Sequence, residues 1–464
     1  MPAAHAPLAL TLAQARLARI ATQQLAAPAD SPTAALRTSG FVRTLAGVDV
    51  YLALRARVPG LRREDVDAQA AAGAVRVVPS ARGCIYLVPR ADAPLCLRIA
   101  EHLSAARSAR EHRIVGLGAT EVEAAAQAVL AALRRHGPLT TDALRRVLPA
   151  NAVRSLGDAG RKVGISSTLP PALRRLEFAG AIERRTESGR LDSERYVWTP
   201  STTDPHGGTP LPDDLSGLAT RLARVFLRAA GVASARDFAA WCGIALRDAK
   251  AAFDALDLVT VQVGGVTEPC MALAEAAATL QACADASDAI ALLPFEDNLL
   301  ALQGGPEFFV DVRHHGLRVP TWGRDATVPL GAAKHMSFRT VVAEGRVAGF
   351  WEYDPDASDV QVVLFEPVGA GTHKRLAALA SDTGRFLREE VGHGRSFSLD
   401  TDQDLRQRVQ ALCRLGGTLV RGSGPTPRTA RAPRRTRPVR TARRAKAATP
   451  PRRRAARPAG RRRR

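Results

Sequence analysis

The sequence predicts an α+β chain made of repeated helical units, a β-rich C-terminal lobe and a disordered basic tail. Three observations predict it. An order of amphipathic helices followed by β-rich runs recurs three times. Residues 288–370 then change to β-rich composition. From Arg421 to the end the chain holds 18 basic residues and no acidic one.

Residues 10–36 place Leu12, Ala15, Leu17, Ile20 and Leu25 at helical spacing, and the Pro28–Pro32 segment breaks the run. Next comes AGVDVYLALRARVPG (46–60), apolar up to Arg55 except for one carboxylate, Asp49. LRREDVDAQAAAG reads as a short helix stopped at Gly73. VRVVPSARGCIYLVP is two β-rich runs about a turn-prone PSARG, hence a hairpin. Helices followed by a hairpin make a winged-helix unit, a helix-turn-helix with a β wing, over residues 8–115.

The order recurs over 119–200. ATEVEAAAQAVLAALRRHG is an amphipathic helix, and PLTTDALRRVLP is a second with Thr140 or Thr141 at its N-cap. STLPPALRRLEFAGAIERR is a third helix running into a strand. TESGRLDSERYVWTP is turn-rich and then β-rich at Tyr196–Trp198. TTDPHGGTPLPDD (202–214) is a linker by composition. A third unit spans 215–275, with Phe226, Phe238 and Trp241 at the helical spacing of core residues. In the lobe (288–370), AEGRVAG reads as a tight hairpin turn. Helices return within 371–420, over 373–387 and 404–415. Residues 421–464 contain one apolar β-branched residue, Val439. Such a segment cannot bury enough surface to offset chain entropy, so it is expected to be disordered.

Net charge is +21, but the tail holds the excess. Outside it, 48 basic residues face 45 acidic ones. Seventeen of the 18 tail cations are arginine, whose guanidinium forks pair with phosphate; nonspecific binding to nucleic acid is expected. The six cysteines are dispersed, with no CxxC, which gives neither a zinc site nor a disulfide framework and fits a reduced cytoplasm. No apolar run reaches the ~20 residues of a membrane span. No HExxH, Walker loop or GxSxG occurs, which removes support for three common enzyme classes. His314-His315 is a weak metal signal, and surface histidines are the plainer reading.

In the second unit, Arg174 and Arg175 sit beside the apolar face of Leu173, Leu176 and Phe178, and Arg184, Arg185, Arg190 and Arg195 lie in or beside the wing. A winged helix puts one helix in a groove and its wing on the backbone, so these six are candidate DNA contacts. The competing reading is a winged-helix fold used for packing or protein contacts, with ordinary solvated arginines.

RARVPG, RGCIYLVP, LRRLEFAGAIERR, DFAAWCGI, LLPFEDNLL and AEGRVAGFW, in that order, resemble the AlkZ/YcaQ family of bacterial winged-helix DNA glycosylases. The resemblance covers about residues 10–415 and leaves out the basic tail. It implies three tandem winged-helix units in a C-shaped body with a β-rich C-terminal lobe. It also implies excision of alkylated bases, including the unhooking of interstrand crosslinks, with no metal and no organic cofactor. Family members carry a QxQ or QxD motif in the first unit, whose last polar residue positions or activates water. Here no glutamine occurs between Gln24 and Gln69, and the counterpart is Gly47-Val48-Asp49.

Asp49 is therefore the candidate catalytic group, with Arg55, Arg57, Arg82 and Tyr86 as candidate lining of the same cleft. A carboxylate stabilises a developing oxocarbenium sugar and acts as base toward water. An alkylated purine that is already cationic leaves with little acid assistance. Burial of an unpaired acid in an apolar run favours its protonated form, which suits a base and equally fits a turn cap. The first lysine of the chain is Lys162, which speaks against a Schiff-base lyase. The expected protein is a monomeric, cytoplasmic, nucleoid-associated partner of double-stranded DNA that touches no membrane. It is either a monofunctional glycosylase or, with the glutamine lost, a non-catalytic DNA-binding protein.

Overall fold

Helices pack on several small, mostly antiparallel sheets, which makes the fold α+β. The computed structural model describes residues 6–201, 210–303, 305–321 and 326–421. The expectation of disorder falls on 422–464, and part of the linker on 202–209; both stretches lie outside the described residues. Among the described residues, no single helix is long and apolar enough to cross a membrane.

The first group holds helices Pro32–Ser39, Asp49–Arg55 and Arg63–Ala71 and a sheet in the order Val42–Arg43, Ile85–Pro89, Val75–Pro79. The Ser31 side chain accepts from the Ala34 N–H and Pro32 opens the helix, a cap and a first residue suited to their places. Gly40 ends that helix at φ +88, and a Cβ there would lie 2.9 Å from the Ala229 methyl. Glycine thus both turns the chain and admits the helix Leu215–Ala230. The hairpin turn carries Arg82 and Gly83 at positive φ. A 23-residue helix follows, Ala93–Val115. The sequence reading placed no element there, because its apolar residues cluster in the first two turns and leave the second half without a buried stripe.

The second group packs Ala119–His136, Thr141–Val147 and Leu169–Phe178 over the sheet Leu139–Thr140, Tyr196–Pro200, Ile182–Thr186. Thr140 is the N-cap of its helix, accepting from the Ala143 N–H at 3.1 Å. Leu133, Leu144, Leu173, Ile182 and Trp198 form its core.

In the third group, Phe226, Phe238 and Trp241 stack with ring centroids 5.2–6.4 Å apart, the core their spacing predicts. One element changes place. Leu8–Leu10, expected in the first unit, runs parallel to Leu258–Val263 in the third group's sheet. Its alternating Leu8 and Leu10 are buried beside Val259, Val261 and Val263, whereas the first sheet offers it no pairing.

The lobe is a five-stranded sheet, Ala291–Leu293, Arg339–Ala343, Arg346–Asp354, Asp359–Leu364, Thr418–Arg421. Glu344 and Gly345, both at positive φ, make the tight turn that AEGRVAG predicts. The fifth strand returns after helices Ala370–Phe386 and Asp402–Arg414, so the lobe closes beyond residue 370.

Candidate active site

Asp49 opens the helix Asp49–Arg55, but it does not cap a turn: no side-chain cap bond forms there. Nor is it unpaired. Its Oδ1 accepts from Arg339 Nε at 3.2 Å and Nη2 at 2.9 Å. This corrects the sequence expectation, and the reason is distance along the chain: the partner lies 290 residues away. Arg339 begins a central strand of the lobe and is fully buried. Its Nη2 also donates to the Gly394 carbonyl at 2.8 Å and to Ser396 Oγ at 2.7 Å. Its guanidinium lies 5.0 Å over the Trp351 ring, and Nη1 stands 3.6 Å from Glu352 Oε2. Arg408 stands 3.5 Å from the same carboxylate and 2.8 Å from Asp400.

Burial pushes the Glu352 carboxyl above its ordinary range, Asp49 adds to that push, and Arg339 and Arg408 oppose it. Three buried atoms of this network, Asp49 Oδ2, Arg339 Nη1 and Glu352 Oε2, have no hydrogen-bond partner. Chemically, one carboxylate oxygen is fixed by an ion pair and the other is left to act.

Backbone covers the acid. The segment 392–400 runs over Gly47–Asp49, with the Val48 N–H donating to the Arg395 carbonyl at 2.9 Å. A Cβ at Gly47 would lie 2.2 Å from the Ser396 carbonyl oxygen. Phe397 packs on Phe295 with centroids 5.2 Å apart.

The turn of the second group's hairpin reaches the same helix. The Leu191 N–H donates to Tyr51 Oη at 2.7 Å, and Tyr51 donates to Asp67 Oδ1 at 2.7 Å. Leu191 is buried in the core shared by the first group and the lobe. Arg190 donates to the Val391 carbonyl at 2.7 Å, and Asp192 receives Arg190 Nε and lies 3.0 Å from His393 Nε2. Burial works against the Asp192 carboxylate, yet the bonds from Arg190 and His393 hold it well below the ordinary range.

A carboxyl depressed on folding contributes stability that is full above its unfolded value of 3.8 and is lost as pH falls through the folded one. Asp192→Asn should lower stability near neutral pH by about 1–3 kcal/mol and flatten the acid-induced loss below about pH 4. Thermal melts from pH 7 to pH 3 read both effects; a variant as acid-sensitive as the native chain would remove Asp192 as the anchor.

These contacts decide where the expected DNA contacts stand. Arg57 is buried, bidentate on Asp297 at 2.8 and 2.9 Å and bonded to Gln23. Arg55 holds Asp382 at 2.5 Å and lies 4.5 Å over Phe386. Tyr86 is core, edge-on to Trp241 at 6.4 Å. Arg184 grips Glu177 at 2.6 and 2.7 Å between the Tyr196 and Trp198 rings. Arg190 is turned inward as described. The structure therefore does not bring Arg55, Arg57, Tyr86, Arg184 and Arg190 to one open surface. Arg82, Arg185 and Arg195 are exposed. Arg174 is partly exposed and lies 3.3 Å from Ser108 Oγ, and Arg175 is exposed and paired with Glu123 at 2.5 Å. His314 packs on Phe365 at 5.1 Å, and His315 meets the Val310 carbonyl. Among the described residues no cluster of three or more metal-ligating side chains occurs.

Comparison with known proteins gives the class. The model of the DNA glycosylase AlkZ-like family matches residues 46–388, and the chain belongs to that family. The match takes in Asp49, Arg339 and Glu352; the covering segment lies beyond it. The structure is similar to Streptomyces sahachiroi DNA glycosylase AlkZ, with 19% identity and a TM-score of 0.62 over 84% of this chain and 98% of that one. At that identity the likeness concerns the fold. No curated protein sequence matches.

Sequence reasoning missed Arg339, Glu352 and Arg408. A signal was there for the first two: FRTVVA and AGFWEY each place one charged residue in a run otherwise fit for a buried strand.

Proposed function

We propose that the protein is a monofunctional DNA glycosylase that releases cationic N-alkylpurines from duplex DNA, crosslinked purines included. Its helix-and-hairpin groups act in this reading as winged-helix units on the duplex. The observation that supports it most is the Asp49 carboxylate, which Arg339 fixes through one oxygen while the other has no partner. A fixed negative charge at the sugar stabilises the oxocarbenium that forms as the base departs with the bonding electrons. Water then adds at C1′ and gives up a proton.

A second reading has its own observation. Asp49 is only 6% exposed and roofed by backbone, as a structural ion pair would be. In that reading the chain binds DNA without cutting it. A glycosylase assay on duplex DNA containing N7-methylguanine decides between them. The enzyme reading expects base release by the native chain, unaffected by chelator, and a loss of about 100-fold or more in Asp49→Asn. Binding without release establishes the second reading. Equal activity of Asp49→Asn leaves an enzyme whose acid lies elsewhere.

A further inference from the structure

Outside the Asp49 network, a second set of charged side chains gathers from four segments far apart in sequence. Arg43 ends the short strand of the first sheet, and Arg82 sits at the tip of the hairpin in the same sheet. Glu296 precedes the turn at Asp297, and Lys334 and His335 lie just before the strand Arg339–Ala343. Glu296 is the centre. One carboxylate oxygen accepts from Arg43 Nη1, and the other lies 2.5 Å from His335 Nδ1. Burial holds the His335 imidazole below its ordinary value, and Arg82, Arg43 and Lys334 act in the same direction; Arg43 shares the Glu296 carboxylate with it and Lys334 is its neighbour in the chain.

Two backbone features show that the arrangement is imposed by its surroundings. Glu296 has φ +51 and Arg82 φ +56, left-handed conformations that are unfavourable for a residue with a side chain. Such strain persists where packing over-determines it. Arg82 is seated against Gly243, where a Cβ would lie 3.0 Å from its Cγ. Gly243, itself at φ +87, ends the helix Ala235–Cys242 of the third group. First sheet, third helical group and lobe thus all shape one spot. Arg82 and Lys334 are exposed and make no ion pair among the described residues. Glu296 already marks where an oxyanion sits between Arg43 and His335, and two further cations beside it remain free.

We propose that Arg82, Lys334, Arg43 and His335 form a patch that receives backbone phosphates of duplex DNA, with Glu296 as its internal counter-charge. Guanidinium and ammonium groups around one carboxylate leave an excess of donors and positive charge, and a phosphodiester supplies both acceptors and negative charge. The identity of the nucleic acid rests on the glycosylase-family reading. The patch itself carries no sequence information, so it fixes register on the duplex rather than choosing a base.

The test is the affinity of the full-length protein for an undamaged duplex, read by fluorescence anisotropy across a salt series. Arg82→Gly removes the side chain and also suits the left-handed backbone. It and Lys334→Ala should each weaken binding several-fold and reduce the slope of log K against log salt by about 0.9 per lost phosphate contact. Glu296→Gln removes the counter-charge and should tighten binding several-fold, a gain that a purely structural role of Glu296 does not produce. Unchanged affinity and slope in Arg82→Gly and Lys334→Ala overturn the patch. So does weaker binding by a Glu296→Gln protein that melts as the native one does. Both exposed-site variants leave the fold alone, so they decide the matter even if Glu296→Gln fails to fold. Base release is read separately: its absence in the native chain beside the expected affinity changes removes the glycosylase reading and leaves the patch, and the reverse pattern removes the patch alone.

Discussion

Arg339→Met should destabilise the protein by about 3–5 kcal/mol, the cost of breaking a buried ion pair from one side. Methionine keeps much of the stem's volume, so packing against Trp351 changes little and the charge is what is lost. The loss reaches three places. Asp49 keeps its buried carboxylate with no partner for Oδ1, the Gly394 carbonyl and Ser396 hydroxyl lose a shared donor, and Glu352 loses one of its two cations. Glu352 would then be pushed further above its ordinary range, with Arg408 as the remaining compensation. A carboxyl raised on folding costs stability as pH rises from its unfolded value toward the folded one. The variant should therefore lose more stability at pH 7 than at pH 5. Denaturant unfolding at the two pH values reads both parts. A change under 1 kcal/mol, or one equal at both, would mean that Arg339 is not the hub of the network. Arg57 provides the comparison: its bidentate hold on Asp297 is also buried, but no other acid shares it.

What the sequence made legible follows range along the chain. Local features were readable. The helix Ala119–His136 has an unbroken apolar stripe, Thr140 caps where a cap is needed, and Glu344-Gly345 turns the lobe's hairpin. These depend on residues within a few positions of one another. Pairings across the chain were not readable. Leu8–Leu10 carries an alternation that fits any half-buried strand, and nothing local assigns it to a partner 253 residues on. The same limit governs the site. Periodicity picked out Asp49 as an anomaly in an apolar run but could not supply Arg339. Arginine counts picked out Arg184 and Arg190 as free cations, although Glu177 and Asp192 neutralise them. Composition reports how many charges a segment has, while the fold decides which remain unpaired.

Gly47→Ala should be the most disruptive small substitution near the site. Gly47 needs no unusual backbone angle; it needs room. Its added methyl would lie 2.2 Å from the Ser396 carbonyl oxygen and 2.6 Å from that of Arg395, both backbone atoms that cannot rotate away. The segment they belong to is held by Val48, Arg339 and Asp400, whose carboxylate accepts from the Ser396 N–H at 3.0 Å, and by Phe397 on Phe295. Either those contacts break or the helix start moves, at a cost of about 3 kcal/mol. Hydrogen exchange should rise over 392–398 and leave the third group's helices unchanged. Any longer side chain at this position needs still more of the same space. The backbone at 395–396 thus stands where such a side chain would begin. If the segment is a removable cover, Gly47→Ala should raise base release per folded molecule while lowering stability. If the chain binds DNA without cutting it, stability falls and no activity appears. A variant with native stability and native exchange over 392–398 would show that the covering segment does not sit where the structure places it.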